Sequence, residues 1–185
     1  MGFSGIRAAS GQNSNHMMVH IRPETKEDIR KIWRVNAAAF DTEAEANLVD
    51  NLRKSGIPLI SLVAEADEKL IGHILFSPVI LSGNKADVKI AGLAPMSVLP
   101  DHQKQGFGTA LIQEGLKLCT SNGYKAVVVL GHPDYYPKFG FAPSSGFGIK
   151  SEYDVPDEVF MIKELENGAL SEYKGVVKYH ALFAP

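Results

Sequence analysis

The apolar residues of this chain change period several times, and each change marks an element. Residues 19–22 read as a short strand that Pro23 stops. Thr25 stands three residues before Asp28, a capping-box spacing with the shorter acid. Ile29, Ile32, Trp33, Ala37 and Phe40 then share one helical face. A second helix, residues 43–55, carries Leu48, Val49 and Leu52 and stops at Gly56, with Pro58 just beyond. Alternation follows. Residues 61–65 and 70–81 read as a hairpin through Asp67-Glu68-Lys69, and Gly83-Asn84 is a second turn. Residues 86–98 make a long strand, in which Gly92 and Pro95 predict a bulge or splay between Gly92 and Met96. The helical period returns over 106–122 and ends at Gly123. A buried strand, 125–130, comes next, so strand, helix and strand imply a parallel crossover. Residues 159–162 and 176–183 are the last strand candidates, with 164–173 ambiguous between them.

Composition narrows the picture. The 185 residues suit one domain with a real core. Residues 1–17 show no such periodicity and no apolar run for secretion, and His16-Met17 before Met18 looks like a cloning junction. They read as an expression tag or disordered leader, and 18–185 as a single domain. A formal charge of −2 gives no basic excess for nucleic acid. No apolar run approaches the roughly 20 residues of a membrane span. Cys119 is the only cysteine, so no intramolecular disulfide forms, which favours a reducing compartment and the cytoplasm. With Leu111, Ile112, Leu116 and Leu118 near it, Cys119 reads as a small buried hydrophobe rather than a nucleophile.

The chemistry concentrates between Val98 and Leu111, where Gln103-x-x-Gly106-x-Gly108 separates a strand from a helix. Such a turn aims backbone N–H groups at an anion, and glycine lets the anion approach. A Rossmann fingerprint would need a third glycine where Leu111 stands, and no Gly-Lys-Ser/Thr follows for a P-loop. Taken alone, the glycines leave a plain helix start open. The segment resembles the acyl-CoA-binding motif, Gln/Arg-x-x-Gly-x-Gly/Ala, of the GCN5-related N-acetyltransferase (GNAT) family. A second block, Leu130-Gly131-His132-Pro133-Asp134-Tyr135-Tyr136-Pro137-Lys138-Phe139-Gly140-Phe141, resembles the signature of the family's YhbS-like branch. The two blocks stand in the family's order, and the likeness covers residues 19–149 well and the rest more weakly.

The resemblance implies an α/β, GNAT-like acyl-CoA N-acyltransferase fold. Its sheet would be twisted and mixed, of about seven strands, with helices on both faces. The strands at 86–98 and 125–130 would run parallel and diverge around the cofactor arm. Acetyl-CoA would be the co-substrate, with no metal and no covalent enzyme intermediate. The acceptor would be a small-molecule or protein amine, not nucleic acid or membrane, and a homodimer is common in the family. The other readings are a non-catalytic acyl-CoA-binding sensor or partner module, and transfer of a longer acyl chain.

Amine chemistry sets the roles, and the resemblance implies which residues fill them, placing Tyr136 at the cleft near the sulfur and Glu45 on a helix that lines the acceptor site. A lysine-type amine has a pKa of about 10.4 and attacks only when neutral, so the site needs a base or a water path. The leaving thiolate, with a pKa of about 8.5, can take a proton from a phenol of pKa about 10. Tyr136 fits this acid role, with packing as its alternative; Tyr135 reads the other way round. Amides around Met96, Ser97 and Val98 would hold the cofactor amide and the thioester oxygen. Those of Gln103, Lys104, Gln105, Gly106, Phe107, Gly108 and Thr109 would hold the pyrophosphate, with Lys104 adding charge or simply solvated. Glu45, opening the second helix, is the first candidate base, or an ordinary helix-start carboxylate. His132 lines the cofactor cleft and is the second. His73, His102 and His180 are isolated and read as structural.

Overall fold

A computed structural model describes residues 18–185; the expectation for 1–17 lies outside them. The fold opens with β1 (Val19–Pro23), a 3-10 turn, and two helices, α1 (Ile29–Ala39) and α2 (Ala44–Ser55). Strands β2 (Ile60–Ala66), β3 (Lys69–Ser82) and β4 (Ile90–Val98) lead to helix α3 (Phe107–Ser121) and strand β5 (Ala126–Leu130). Four short strands finish the chain: β6 (Ala142–Pro143), β7 (Ile149–Ser151), β8 (Phe160–Glu164) and β9 (Gly175–Lys178). Hydrogen-bonded neighbours run β1-β2-β3-β4-β5-β8-β6, a path of seven strands, with β9 on β3 and β7 on β9. Pairs β4–β5 and β7–β9 are parallel, while β1–β2, β3–β9, β5–β8 and β6–β8 are antiparallel. The sheet is therefore mixed and open.

The residues gather into two compact units. Among the described residues the first takes in 18–56 with Ile60–Leu75 and Pro95–Gly115. Of the expected faces, Ile32 on α1 and Val49 and Leu52 on α2 are buried, and Ile29, Trp33, Ala37, Phe40 and Leu48 half-buried; Val35 and Ala46, outside the expected faces, are buried as well. Asp28 reaches back to the Thr25 amide (2.7 Å), closing the turn before α1, and Gly56 caps α2 in the left-handed region. The second unit holds Ile57–Leu59, Phe76–Ala94 and Leu116–Pro185. Its core includes Ile90, Val128, Ile149, Phe160, Ile162 and Val177, which are inward positions of five strands.

Three expected boundaries move. The long strand starts at Ile90, not residue 86, because Ile90 is the first residue with a partner on β5, Ala126. The last strand ends at Lys178; His180 Nδ1 accepts the Leu182 amide (3.2 Å) and turns the chain into a 3-10 turn over Ala181–Phe183. The ambiguous 164–173 stretch is a loop, held by the Glu164 carboxylate accepting the amides of Gly168 (3.1 Å) and Leu170 (2.9 Å). Strands β6 and β7, of two and three residues, are too short to show any period.

His73 proves not to be isolated. It lies fully buried on β3, inside a polar chain wholly within the first unit. Asn36 on α1 donates through Nδ2 to the Ile32 carbonyl (3.1 Å) and to His73 Nδ1 (3.1 Å). That leaves the ring proton on Nε2, which faces Ser61 Oγ at 2.9 Å. Ser61 in turn donates to the Glu24 carboxylate, which Arg53 grips with two bonds of 2.9 and 3.0 Å. Burial raises the Glu24 pKa, but hydrogen bonds from Arg53 and Ser61 outweigh it and hold the carboxyl below its ordinary value. Burial pushes His73 down to about 4, against the pull of Glu24. The unfolded chain takes up a proton on this histidine below pH about 6.5, and the folded chain does not until about pH 4. Stability should thus fall with pH across that window, by about 3 kcal/mol at its end. Thermal melts from pH 7 to 4 check this. The wild type should lose stability steadily and His73→Gln should show a shallower slope; parallel curves would contradict it.

Candidate active site

In the second unit, β4 and β5 pair through three residues only: Ile90↔Ala126, Ala91↔Val127 and Gly92↔Val128. Both strands continue, β4 to Val98 and β5 to Leu130, but the ladder between them stops. Strand β5 keeps its other edge paired to β8 as far as Leu130↔Phe160, and the Gly131 amide still reaches the Val159 carbonyl (2.9 Å). Pro95, three residues past the last pair, has no N–H to offer a ladder. The splay therefore falls where Gly92 and Pro95 predict it.

The tip of β5 carries the second block. The His132 carbonyl accepts the amides of Tyr135 (3.1 Å) and Tyr136 (3.4 Å), folding the chain back at once. The His132 ring itself is exposed. Tyr136 is 8% exposed, its ring edge-on to Tyr135 (5.1 Å) and Phe141 (5.6 Å). Burial, helped by Tyr135, pushes the Tyr136 hydroxyl up to about 12. The ring lies flat against Gly131: a Cβ there would stand 2.3 Å from Tyr136 Cε2. Tyr135 packs instead, under the Lys138 ammonium, which sits 4.0 Å from the ring centre.

The first unit holds the loop and the start of α3. Gln103 Nε2 donates to the Val98 carbonyl (3.1 Å), and Gln105 Nε2 to the Asp101 carbonyl (3.0 Å). The two glutamine side chains therefore brace the loop. Gly106 has φ +90°, a region that penalises any Cβ, and the space where a Cβ would stand is open. Lys104, at φ 59°, takes a left-handed conformation too. The first helical bond runs from the Ala110 amide to the Gly106 carbonyl (3.0 Å), so the amides of Phe107, Gly108 and Thr109 precede the ladder. Phe107 is buried and fastens this end to the core; Gln103, Lys104, Gln105 and Gly106 are exposed, and Gly108 and Thr109 half-buried. On β4, Met96 is half-buried while Ser97 and Val98 are buried. Ser97 Oγ has no hydrogen-bond partner among the described residues, nor has Glu45 Oε2, at the first turn of α2. Such orphaned polar atoms cost free energy unless a ligand answers them. An anionic, amide-bearing carrier fits these groups.

Cys119 is fully buried, and burial pushes its thiol up to about 12 against the pull of Lys89, so it stays a thiol at neutral pH. Among the described residues, no three His, Cys, Asp or Glu side chains cluster to hold a metal ion, and no helix is long and apolar enough to cross a membrane.

A family model described as an acetyltransferase (GNAT) domain matches residues 20–144. The chain belongs to the GNAT acetyltransferases. Over 164 residues, 88% of this chain and 97% of the other, this acetyltransferase is 35% identical to YhbS of Escherichia coli, an uncharacterized N-acetyltransferase. The crystal structure of E. coli YhbS in complex with CoA superposes with a TM-score of 0.87 at 33% identity, covering 94% of this chain and 96% of that one. A GNAT acetyltransferase of Brucella melitensis in complex with acetyl-CoA gives 0.74 at 35% identity, covering 90% and 98%.

Two groups escape sequence reading in this acetyltransferase. The Glu24–Ser61–His73–Asn36 chain joins the loop after β1 to β2, β3 and α1 with no common spacing. The rings of Tyr153, Tyr179 and Phe183 come together only through the pairing of β7 with β9. The contact between Gly131 and Tyr136 makes a direct test. Gly131→Ala should cost about 1–3 kcal/mol, because a buried ring must move off the added methyl. Denaturant melts check this, and a fully stable variant would contradict the observed packing.

Proposed function

We propose that this acetyltransferase moves an acetyl group from acetyl-CoA to a primary amine by direct attack in a ternary complex. The observation that carries the reading is the mouth of α3, where three amides precede the helical ladder beside a glycine with open space in place of a Cβ. The match of one family model across residues 20–144 supports treating 18–185 as one acetyltransferase domain.

Bound acetyl-CoA supplies an activated acetyl group as a thioester. The chain's own groups bind and orient it. Amides of Phe107, Gly108 and Thr109, with those of Gln103–Gly106, hold the diphosphate, and Lys104 adds charge nearby. The amides and hydroxyl around Met96, Ser97 and Val98 hold the carrier's amide and polarise the carbonyl. Glu45 takes the proton from the amine, its unpartnered Oε2 supporting that choice over exposed His132, which lines the cleft. Tyr136 holds its proton at all pH values up to about 12. Full transfer from such a phenol to a thiolate of pKa about 8.5 is uphill. Tyr136 therefore acts by donating a hydrogen bond to the sulfur as charge develops on it.

Gly106→Glu should abolish acetyl-CoA binding, since it strains a left-handed turn and sets a carboxylate against the diphosphate. Calorimetry reads this directly, and unchanged affinity would refute the assignment. Tyr136→Phe should slow turnover roughly 10- to 100-fold, the worth of a hydrogen bond to a charged group. Turnover attributable to Tyr136 should not decline between pH 7 and 10. A free-thiol release assay checks both statements; equal rates in wild type and variant would remove Tyr136 from the mechanism.

A further inference from the structure

Beside the tip of β5, within the second unit, lies a cavity of about 310 Å³ walled by Leu93, Ala94, Leu130, Tyr153, Tyr179, Phe183 and Pro185. None of these side chains is charged. Tyr153 and Tyr179 stack at 5.7 Å and 28°, and Phe183 leans on Tyr179 at 5.4 Å and 54°. Gly92 makes room for this cluster: a Cβ there would stand 3.1 Å from Tyr179 Cε1. Two other cavities of the second unit differ in kind. One, of about 370 Å³, is lined by Ser144, Ser145, Lys150, Glu152 and Asp154 among others. The other, of about 360 Å³, holds the Lys125–Glu166 ion pair.

The apolar cavity has a particular address. Leu93 and Ala94 are the first residues past the last β4–β5 pair. Leu130 ends β5 and is 38% exposed at the lip, and the next residue, Gly131, carries the Tyr136 ring. The carboxylate nearest the rings is already engaged: Glu152 Oε1 accepts the Tyr179 amide (2.7 Å), and Oε2 lies 3.8 Å from Lys178 Nζ. The side chains here offer a ligand carbon surface and aromatic faces.

We infer that this cavity seats the acceptor, and that the acceptor is a small primary amine with a flat aromatic or compact aliphatic body. The inference rests on the proposed acetyl transfer and adds the substrate class. A volume near the lower end of the roughly 300–1,000 Å³ usual for small-molecule sites excludes a large or heavily hydroxylated acceptor. Apolar walls also help the chemistry. Desolvation disfavours the ammonium form, so the seated amine loses its proton more readily. Its lone pair forms the C–N bond and the C–S bond breaks. The nitrogen releases one proton, and the departing sulfur takes up one, giving the acetamide and free thiol.

Two primary amines of similar basicity, 2-phenylethylamine and ethanolamine, separate the possibilities. Each is titrated into CoA-saturated protein by calorimetry and assayed with acetyl-CoA by thiol release. The wild type should bind 2-phenylethylamine at least about tenfold more tightly, the usual worth of apolar pocket contacts. Leu130→Asn and Phe183→Ala should each narrow that gap and raise the KM for 2-phenylethylamine, with acetyl-CoA affinity and circular dichroism unchanged. Equal binding of the two amines, no binding of either, or a gap that neither variant touches would overturn the inference. Turnover of ethanolamine without preference would leave acetyl transfer standing and remove only the cavity's role. Leu130-dependent binding of 2-phenylethylamine without turnover of any amine would keep the cavity's role and remove acetyl transfer.

Discussion

The parting of β4 from β5 after Gly92 and Val128 is the constraint from which the rest follows. A parallel pair normally sits deep in a sheet with every backbone group matched. Here β5 holds to β8 along its full length while β4 leaves it. Two features of β4 make this tolerable. Gly92 gives its side-chain space to the ring of Tyr179, and Pro95 brings no donor that a missing partner would orphan. Past the last pair, β4 carries Ser97 with its unpartnered hydroxyl, and β5 leads to Gly131 with the Tyr136 ring against it.

The first unit has its own internal tie. The polar chain from Asn36 through His73 and Ser61 to Glu24 and Arg53 fastens α1, β2, β3 and α2 around one buried imidazole. Its members find partners almost throughout, Asn36 Oδ1 being the exception. Ser97 Oγ and Glu45 Oε2 share this unpartnered state with Asn36 Oδ1, Ser77 Oγ and His102 Nδ1 among the described residues, and the proposed acetyl transfer gives a ligand-answering role to the first two.

Much of this was legible in the sequence because it rests on local rules. Gly106 and Gly108 after a strand announce a helix mouth, Gly92 and Pro95 announce a break in pairing, and Gly56 ends a helix. Ile32, Val49 and Leu52 on the buried faces of α1 and α2 follow from period, while Val35 and Ala46 show only in the folded chain. What was not legible depends on residues brought from far apart. His73 looks isolated because its partners are 12 and 37 positions away. The stacked rings of Tyr153 and Tyr179 need β7 to pair with β9, and β7, at three residues, is too short to show a pattern. Gly131 reads as a turn residue; only the folded chain shows a tyrosine ring filling the space that a side chain would take.

The central claim is that amides ahead of the α3 ladder grip the diphosphate of acetyl-CoA while the residues around Ser97 receive its thioester. A crystal structure of this chain with acetyl-CoA tests it most directly. The account predicts diphosphate oxygens within hydrogen-bond distance of the Phe107, Gly108 and Thr109 amides and the carbonyl oxygen answered at Ser97–Val98. A bound carrier whose diphosphate lies away from those amides would contradict it.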